Sequence, residues 1–450
     1  MTERLWRERT PAAIPEAGVW DVVVCGGGPA GIAAAIAAGR TGARTLLIEQ
    51  LTNVGGMNPG AHTNLCCDSP GGPIFIELEM RLAQIGHAHR TFRPERDLDK
   101  AGRVHLHGEM LKAVAMEMLL EAKVELRFGT FVSAAELAGN RVIGVIATGK
   151  GGARLFRAGV VVDCTADADV AASAGAPFFK GDPQDGRVQH VNYKPVLGGQ
   201  KTEVFELQKP EPAVLREMAR QAVAAGLLHP PTGIFKPMAE CFPFDDRTGK
   251  MNFDYWEIAN VDPTDAAAVS RTLAECQRAA LEMIRFARQN LPGFEKAYIA
   301  RFPALLGTRE SRRIAGQYVL TRDDVLTGRK FADGIARACF FMDFHDSPPG
   351  STTPYSIDFK RANRPPPGDY YEIPYRALVP REIEALLVAG RCISSDRSAH
   401  ASLRVQPTCF FTGEAAGLGA AMAVKSGQLP GALDAGPIRA ATLSLQGNQR

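Results

Sequence analysis

The sequence of 450 residues has little net charge, +3, and contains neither a basic run nor an interleaved aromatic stripe. Nucleic acid is therefore not an expected partner. Its nine cysteines form no CxxC pair, which argues against a dithiol redox site and favours free thiols in a reducing cytoplasm. Residues 1–18 lack the apolar core of a signal peptide, and glycines interrupt the apolar run that follows. Neither a signal peptide nor a membrane span is predicted.

What the sequence does contain is a strand, a glycine turn and a helix in close succession. Asp21–Cys25 reads as a buried strand, and Gly26, Gly28 and Gly31 follow it with GxGxxG spacing. An alanine-rich helix is predicted from about Pro29 to Gly39. Gly26 permits the tight turn, Gly28 lets a pyrophosphate approach the backbone, and Gly31 lets helix and strand pack closely. The positive end of the helix then faces the phosphates.

A second strand, Thr45–Ile48, completes a βαβ unit and leads to Glu49. Glu49 lies 18 residues after Gly31 (49 − 31), close to the offset of about 20 expected for the acid that binds an adenosine ribose. Gly55 and Gly56 lie in the loop that leaves the carboxyl end of this strand, where we expect a second part of the cofactor. A lone GxGxxG is weak evidence, but the complete unit indicates a dinucleotide site.

Further elements follow this unit along the chain. Apolar spacing predicts helices over 73–86 and 108–122, and strands over 124–128, 130–132, 141–148 and 153–158 that form a small β-meander. A continuous apolar run over 159–164 predicts a strand that returns to the nucleotide sheet. From about 177 to 304, prolines, aromatics and two amphipathic helices, 211–225 and 264–289, indicate an inserted cap. Substrate selectivity usually lies in such a cap.

The last third of the chain returns to the first. A strand over 383–391 reaches a glycine turn, and a helix over 408–425 carries many small residues. Those residues lower helix propensity and are explicable if the helix packs against another backbone. The predicted fold class is α/β, a Rossmann-like domain with a β-meander and an inserted α+β cap or substrate domain. The predicted divisions are an N-terminal arm at 1–18, the first part of the nucleotide-binding domain at 19–176, the cap at 177–305, a return segment at 306–428 and a C-terminal tail at 429–450.

This layout resembles the FAD-dependent oxidoreductases of the two-dinucleotide-binding-domain flavoproteins, in the glutathione reductase-like superfamily. It is most similar to the bacterial family described simply as FAD-dependent oxidoreductases. The stretches that carry the resemblance are 24–56, 161–169, 310–325 and 387–417. One departure is Ala166, where the family more often has glycine; alanine is expected to be tolerated there unless the position needs a positive φ.

The resemblance implies FAD as the cofactor, which makes the Rossmann-like domain an FAD-binding domain. It places adenine near Val132, the ribityl chain near Gly390 and Arg391, and the isoalloxazine beside residues 404–408. A helix that begins near Pro407 would stabilise negative charge on a reduced flavin. The implied cofactor-binding residues are Gly26, Gly28, Pro29, Ala30, Gly31, Glu49, Gln50, Gly55, Gly56, Met57, Val132, Thr165, Gly390, Arg391, Arg404, Val405, Pro407 and Thr408. No metal site is predicted, and the absence of a second GxGxxG argues against a separate pyridine nucleotide domain.

Four residues are candidates for catalysis. His400 and Arg404 lie four residues apart next to the expected flavin ring, where they would anchor substrate or transfer a proton, or only shape the loop. Arg312 could clamp a substrate carboxylate or belong to a solvated surface. His345 lies between Asp343 and Asp346 in sequence and is a candidate base oriented by a carboxylate.

These features predict an FAD-dependent oxidoreductase that transfers a hydride between a small organic substrate and flavin N5. A flavin-dependent monooxygenase is the alternative among enzymes, and a non-catalytic flavin-binding partner protein is the alternative of another class. A small-molecule substrate and a separate electron acceptor are the expected partners, in a cytoplasmic protein with neither nucleic acid nor a membrane span. A homo-oligomer is compatible with the sequence.

Overall fold

The computed structural model describes residues 14–67, 69–91, 102–234, 243–245, 251–253, 256–346 and 357–443. Within them the strands are β1 (Glu16–Cys25), β2 (Thr45–Ile48), β3 (Leu65–Cys66), β4 (Ala88–Thr91), β5 (Arg103–Leu106), β6 (Glu125–Arg127), β7 (Phe131–Ala138), β8 (Arg141–Gly149), β9 (Gly152–Asp163), β10 (Phe178–Lys180), β11 (Val191–Tyr193), β12 (Val196–Gly198), β13 (Pro243–Asp245), β14 (Met251–Phe253), β15 (Trp256–Ile258), β16 (Tyr298–Arg301), β17 (Arg312–Ile314), β18 (Gly334–Ala338), β19 (Tyr371–Pro374) and β20 (Leu386–Val388). The α-helices are α1 (Pro29–Arg40), α2 (Met57–Gly60), α3 (Pro73–Gln84), α4 (Gly108–Glu121), α5 (Asp169–Ser173), α6 (Thr202–Gln208), α7 (Pro212–Ala224), α8 (Ala266–Asn290), α9 (Arg322–Leu326), α10 (Ile357–Ala362), α11 (Arg397–Leu403), α12 (Gln406–Ser426) and α13 (Gly436–Leu443).

A seven-stranded sheet forms the centre of the fold, in the order β6-β2-β1-β9-β8-β7, with β20 also paired to β9. The pairs β1–β2, β1–β9, β2–β6 and β9–β20 are parallel. The pairs β7–β8 and β8–β9 are antiparallel and form the predicted meander. The residues of β1 from Val22 to Cys25 are fully buried, as expected of a parallel strand covered on both faces. The predicted α/β architecture is therefore confirmed.

Two predicted strands, over 153–158 and 159–164, are one continuous strand, β9. Gly159 lies in its middle rather than at a break. A Cβ there would lie 3.0 Å from the carbonyl oxygen of Asp21 and 3.1 Å from a methyl group of Val424. The glycine therefore allows β1 and α12 to approach β9 closely. Glycine inside a strand can serve such a close approach rather than end the strand.

Strand β1 begins at Glu16, within the predicted N-terminal arm at 1–18. The first half of β9 pairs with the start of β1. Arg157 and Glu16 form an ion pair of 2.6 Å there. Residues 1–13 lie outside the described residues.

The helices α1 and α12 pack backbone to backbone. A Cβ on Gly413 would lie 2.1 Å from the carbonyl oxygen of Ala30, and one on Gly417 would lie 2.1 Å from that of Ala34. Side chains larger than hydrogen at these two positions would push the helices apart. The small residues of α12 thus serve the close packing that the sequence predicts, and they bring the two ends of the chain to one site.

The middle of the chain has a hydrophobic core of its own, built from buried residues between Val191 and Leu306. Helix α8 runs for 25 residues across it, and Asp265 caps this helix by accepting a hydrogen bond from Ala267 N at 2.8 Å. The cap boundaries at 177 and 305 stay a prediction. In the part of the chain that the structure describes, no helix is both long and apolar enough to cross a membrane.

Candidate functional site

The turn between β1 and α1 has the geometry of a phosphate-binding loop. Gly26 has φ +100°, and a Cβ on Gly31 would lie 1.7 Å from the carbonyl oxygen of Gly26. The space beside Gly28 is open, because its added Cβ would meet only Gly56 Cα, at 3.9 Å. No side chain caps the N-terminus of α1. Its N–H groups are therefore positioned for an anion.

Glu49 follows β2 and is buried. Its carboxylate accepts hydrogen bonds from Gly27 N at 2.5 Å and Leu51 N at 2.8 Å. Burial raises the pKa of Glu49, and these backbone hydrogen bonds oppose that rise. The acid thus lies directly against the glycine turn, where the sequence predicts contact with a ribose.

A cavity of about 440 Å³ opens from the glycine turn. Of the predicted cofactor residues, its lining includes Gly28, Pro29, Ala30, Met57, Gly390, Arg391, Arg404 and Val405. These residues come from the starts of α1, α2 and α12 and from the end of β20. The cavity therefore joins the two glycine-rich ends of the chain. An uncapped helix N-terminus, an open glycine face and a buried acid fit the phosphates and ribose of FAD.

The other predicted cofactor residues are not part of the cavity lining: Gly26, Gly31, Glu49, Gln50, Gly55, Gly56, Val132, Thr165, Pro407 and Thr408. Gly55 N donates to Gly27 O at 2.8 Å. Thr165 donates its hydroxyl to Asp163 at 2.7 Å, and the hydroxyl of Thr408 pairs with that of Ser69 at 2.9 Å. The hydroxyl groups of Thr165 and Thr408 thus already have hydrogen-bond partners within the protein. Contacts of these two residues with the cofactor stay a prediction.

The cavity lining also includes five polar side chains that contact one another, which we call the polar cluster: Glu257, Arg309, Asp343, His345 and Arg404. His345 Nδ1 lies 2.7 Å from Glu257 Oε1, and its Nε2 lies 3.0 Å from Asp343 Oδ2. Arg404 donates to Asp343 Oδ2 at 3.2 Å, and Arg309 lies 3.5 Å from Glu257 Oε1. Strand β15 of the middle core supplies Glu257, so this cluster joins the two cores of the protein.

Both carboxylates of the polar cluster are held in the ionised form. Burial alone would raise the pKa of Glu257, but hydrogen bonds from His190 and His345 outweigh it and hold that pKa well below its ordinary value. The charge and hydrogen bond of His345 likewise outweigh burial and lower the pKa of Asp343. An ionised carboxylate only accepts hydrogen bonds. The two ring nitrogens of His345 thus each face a carboxylate oxygen of the cluster.

Two predicted catalytic residues lie elsewhere. His400 is fully buried in α11 and does not line the cavity. Burial and the surrounding arginines lower its pKa well below its ordinary value. Arg312 donates to the carbonyl oxygen of Asp167 at 2.8 Å and pairs with Asp169 at 2.9 Å, also away from the cavity lining. Direct contact of these two residues with substrate stays a prediction, whereas His345 and Arg404 do line the cavity.

Sequence reasoning missed Glu257 and Arg309. A signal for Arg309 exists, since it is three residues before Arg312 in the same arginine-rich stretch. No signal distinguishes Glu257 from the other acids of the middle region, because only the tertiary fold brings it to His345.

Position 166 has a positive φ, which is the condition under which alanine was not expected to be tolerated there. Its φ is +71°, in the left-handed region where a Cβ is crowded by the backbone. Its carbonyl oxygen accepts from Arg391 Nε at 2.9 Å, and the residue lines the cavity. The turn after β9 therefore holds a conformation that glycine adopts more readily.

We expect Ala166→Gly to raise the free energy of unfolding by about 1 kcal/mol, because it removes this strain. Ala171→Gly is the matched control, since Ala171 is buried in α5 and a helical glycine there should cost about 1 kcal/mol. Urea denaturation of both variants measures the two changes. A loss of stability in both variants would show that Ala166 is not strained.

Residues 21–443 match the model of a family described as FAD dependent oxidoreductase. No curated protein matches the chain. Similar solved structures include an anhydrotetracycline hydroxylase from Streptomyces rimosus, with 14% identity and a TM-score of 0.43 over 91% of this chain and 63% of that one. The chain thus spans less than two thirds of that hydroxylase.

Two further solved structures have a similar degree of likeness. A geranylgeranyl bacteriochlorophyll reductase-like protein from Thermoplasma acidophilum has 13% identity and a TM-score of 0.43, over 91% of this chain and 79% of that one. A p-nitrophenol 4-monooxygenase from Pseudomonas putida has 14% identity and a TM-score of 0.45, over 91% and 81% of the two chains.

Proposed function

This chain belongs to the family of FAD-dependent oxidoreductases, and from that membership we propose that it transfers a hydride between a small organic substrate and N5 of the flavin ring. It is an enzyme, and its cofactor is FAD. The cofactor supplies the two-electron chemistry when bound. The observation that carries the proposal is a cavity whose lining includes both residues of the glycine turn and the polar cluster.

The residues of this chain have separate tasks in the proposal. The N-terminus of α1 binds the pyrophosphate, and Glu49 binds the adenosine ribose. Arg404, at the start of α12, places positive charge beside the flavin ring. His345 holds a proton at the polar cluster, where it is available to the substrate as the hydride moves. The buried walls on both sides exclude water from the reacting atoms.

Residues from the middle of the chain also line the cavity. Asn192 lies in β11 and Glu257 in β15, so we propose that this region selects the substrate. Placement of the chain among the glutathione reductase-like flavoproteins stays a prediction from the sequence, and so does its cytoplasmic location.

Purification followed by a visible spectrum and an anaerobic screen of organic compounds tests the proposal. We expect a yellow protein whose flavin absorbance is bleached by one class of compound without oxygen. A protein that binds flavin but responds only to NADPH, with oxygen inserted into a product, would instead be a monooxygenase. A colourless protein that cannot be reconstituted with FAD would contradict the proposal at its foundation.

A further inference from the structure

Gln406 is the first residue of α12 and lines the cavity. It directly follows Arg404 and Val405, which the resemblance assigns to the cofactor. Only 9% of Gln406 is exposed, although its amide has both donors and an acceptor to satisfy. A polar side chain that is buried to this extent finds its hydrogen-bond partners in the protein or in a ligand.

The nitrogen of this amide has a partner within the protein. Nε2 of Gln406 donates to the carbonyl oxygen of Thr63 at 2.7 Å, and Thr63 lines the same cavity. A carbonyl oxygen only accepts hydrogen bonds, so a half-turn of the amide would lose this bond and bring two oxygen atoms together. The contact with Thr63 therefore fixes which end of the amide is the nitrogen and which is the oxygen.

The oxygen of the same amide has no such partner. Oε1 of Gln406 is buried and accepts no hydrogen bond from any residue that the structure describes. An unsatisfied buried acceptor is destabilising, whereas an apolar side chain of similar length would fill the same space without this cost. The amide oxygen is therefore explained by a ligand that brings an N–H or O–H donor to the start of α12.

The isoalloxazine ring of FAD offers one donor of this kind. In its oxidised form the ring has a single N–H group, at N3, while its other nitrogens and its two carbonyl oxygens only accept. The two carbonyl groups flank N3. No side chain caps the start of α12, so its first N–H groups are available to one of these carbonyls. The acceptor and the donors at the start of α12 thus match the pyrimidine edge of the flavin.

We propose that Oε1 of Gln406 accepts a hydrogen bond from N3–H of the flavin and positions the pyrimidine edge of the ring at the start of α12. Gln406 then joins the ring to the loop that follows α2, because its nitrogen already binds Thr63. This contact depends on FAD as the cofactor, and not on the substrate or on the direction of hydride transfer. A ribityl hydroxyl, a substrate group and a water molecule are the other candidate donors. None of them involves N3, so removal of the N3 hydrogen distinguishes the proposed contact from all three.

Titration of the full-length protein, after removal of its FAD, with FAD and with 3-methyl-FAD tests this contact, because methylation of N3 removes its hydrogen. Quenching of flavin fluorescence measures both affinities. We expect the parent protein to bind FAD at least about tenfold more tightly than 3-methyl-FAD, a difference of about 1.4 kcal/mol. Gln406→Met has a side chain of similar length without an acceptor oxygen. In this variant FAD affinity should fall, and the two flavins should bind within about threefold of each other.

Gln200→Met is the matched control. The amide oxygen of Gln200 is also buried and accepts no hydrogen bond from the described residues, but Gln200 lies outside the cavity lining. This variant should bind both flavins as the parent protein does. Gln406→Glu retains an acceptor oxygen and should keep a preference for FAD over 3-methyl-FAD. It also covers the case in which Gln406→Met does not fold.

An unchanged preference for FAD in Gln406→Met would overturn the proposal, because another part of the cavity would then exclude the methyl group. Equal binding of the two flavins by the parent protein would also overturn it, and would assign the amide oxygen to a ribityl hydroxyl, a substrate or water. Thermal unfolding of the FAD-free variants shows whether each change in affinity arises at the site or from the fold. No substrate is present in these titrations, so failure of the hydride-transfer proposal would leave their result unchanged.

Discussion

Gly28→Ala should yield a folded protein that no longer retains FAD. Gly28 has φ −74° and ψ −173° at the N-cap of α1, a conformation that alanine adopts without strain. Its added Cβ would meet no protein atom closer than 3.9 Å. The methyl group would instead occupy the space through which the pyrophosphate approaches the backbone. We expect FAD affinity to fall by about a hundredfold or more, a loss of at least about 2.7 kcal/mol.

Gly31→Ala provides the contrast, because its Cβ would lie 1.7 Å from the carbonyl oxygen of Gly26. Helix α1 would have to move away from β1 to accept it, and such overpacking costs about 1–3 kcal/mol or more. Both variants should lose FAD, but only Gly31→Ala should lower the stability of the protein without cofactor. Denaturation of the FAD-free proteins, with FAD titration by fluorescence quenching, distinguishes the two. Retention of FAD by Gly28→Ala would show that the pyrophosphate lies elsewhere.

The part of the site nearest to these glycines was predictable because it is encoded locally. The predicted strand at Thr45–Ile48 has the same bounds in the structure, and the predicted helix from Pro29 ends one residue later, at Arg40. Turn, helix and strand follow one another within about 30 residues, as a βαβ unit requires. Their order in the chain is sufficient to bring them together.

The polar cluster was not predictable in this way. Glu257 and His345 are 88 residues apart, and Glu257 and Arg309 are 52 apart. Their meeting depends on how the middle core packs against the central sheet, and no local pattern encodes that packing. The sequence correctly selected His345 but paired it with neighbours in the chain. In the structure Asp343 is one of its partners and Glu257, from β15, is the other.

The spacing of His400 and Arg404 does not tell which of them reaches the cavity. Four residues apart, they lie near one face of a helix, and Arg404 keeps helical dihedrals as the C-cap of α11, with its N–H donating to His400 O at 3.2 Å. His400 is nevertheless fully buried, whereas Arg404 lines the cavity. The packing of α11 against the rest of the protein makes this difference, and no local pattern encodes it.

His345→Gln should have the largest effect on turnover. His345 lines the cavity, its side chain is 21% exposed, and its two ring nitrogens face the carboxylates of Glu257 and Asp343. A positioned proton donor or acceptor of this kind contributes about 10²–10⁴-fold to rate. Glutamine retains a hydrogen-bonding amide but cannot transfer a proton. We expect the anaerobic flavin bleaching by the active compound to slow by about a hundredfold or more, with FAD content unchanged.

His400→Gln is the matched control, because it makes the same substitution at a buried histidine outside the cavity lining. It should leave the bleaching rate within about threefold of the parent protein, since it removes no group that reaches the substrate. Glu257→Gln should lie between the two, because it keeps a hydrogen-bonding partner for His345 but removes one of the two carboxylate charges that face its ring. Equal slowing by His345→Gln and His400→Gln would mean that both histidines only maintain the fold. A normal rate in His345→Gln would assign the proton transfer to solvent or to the substrate itself.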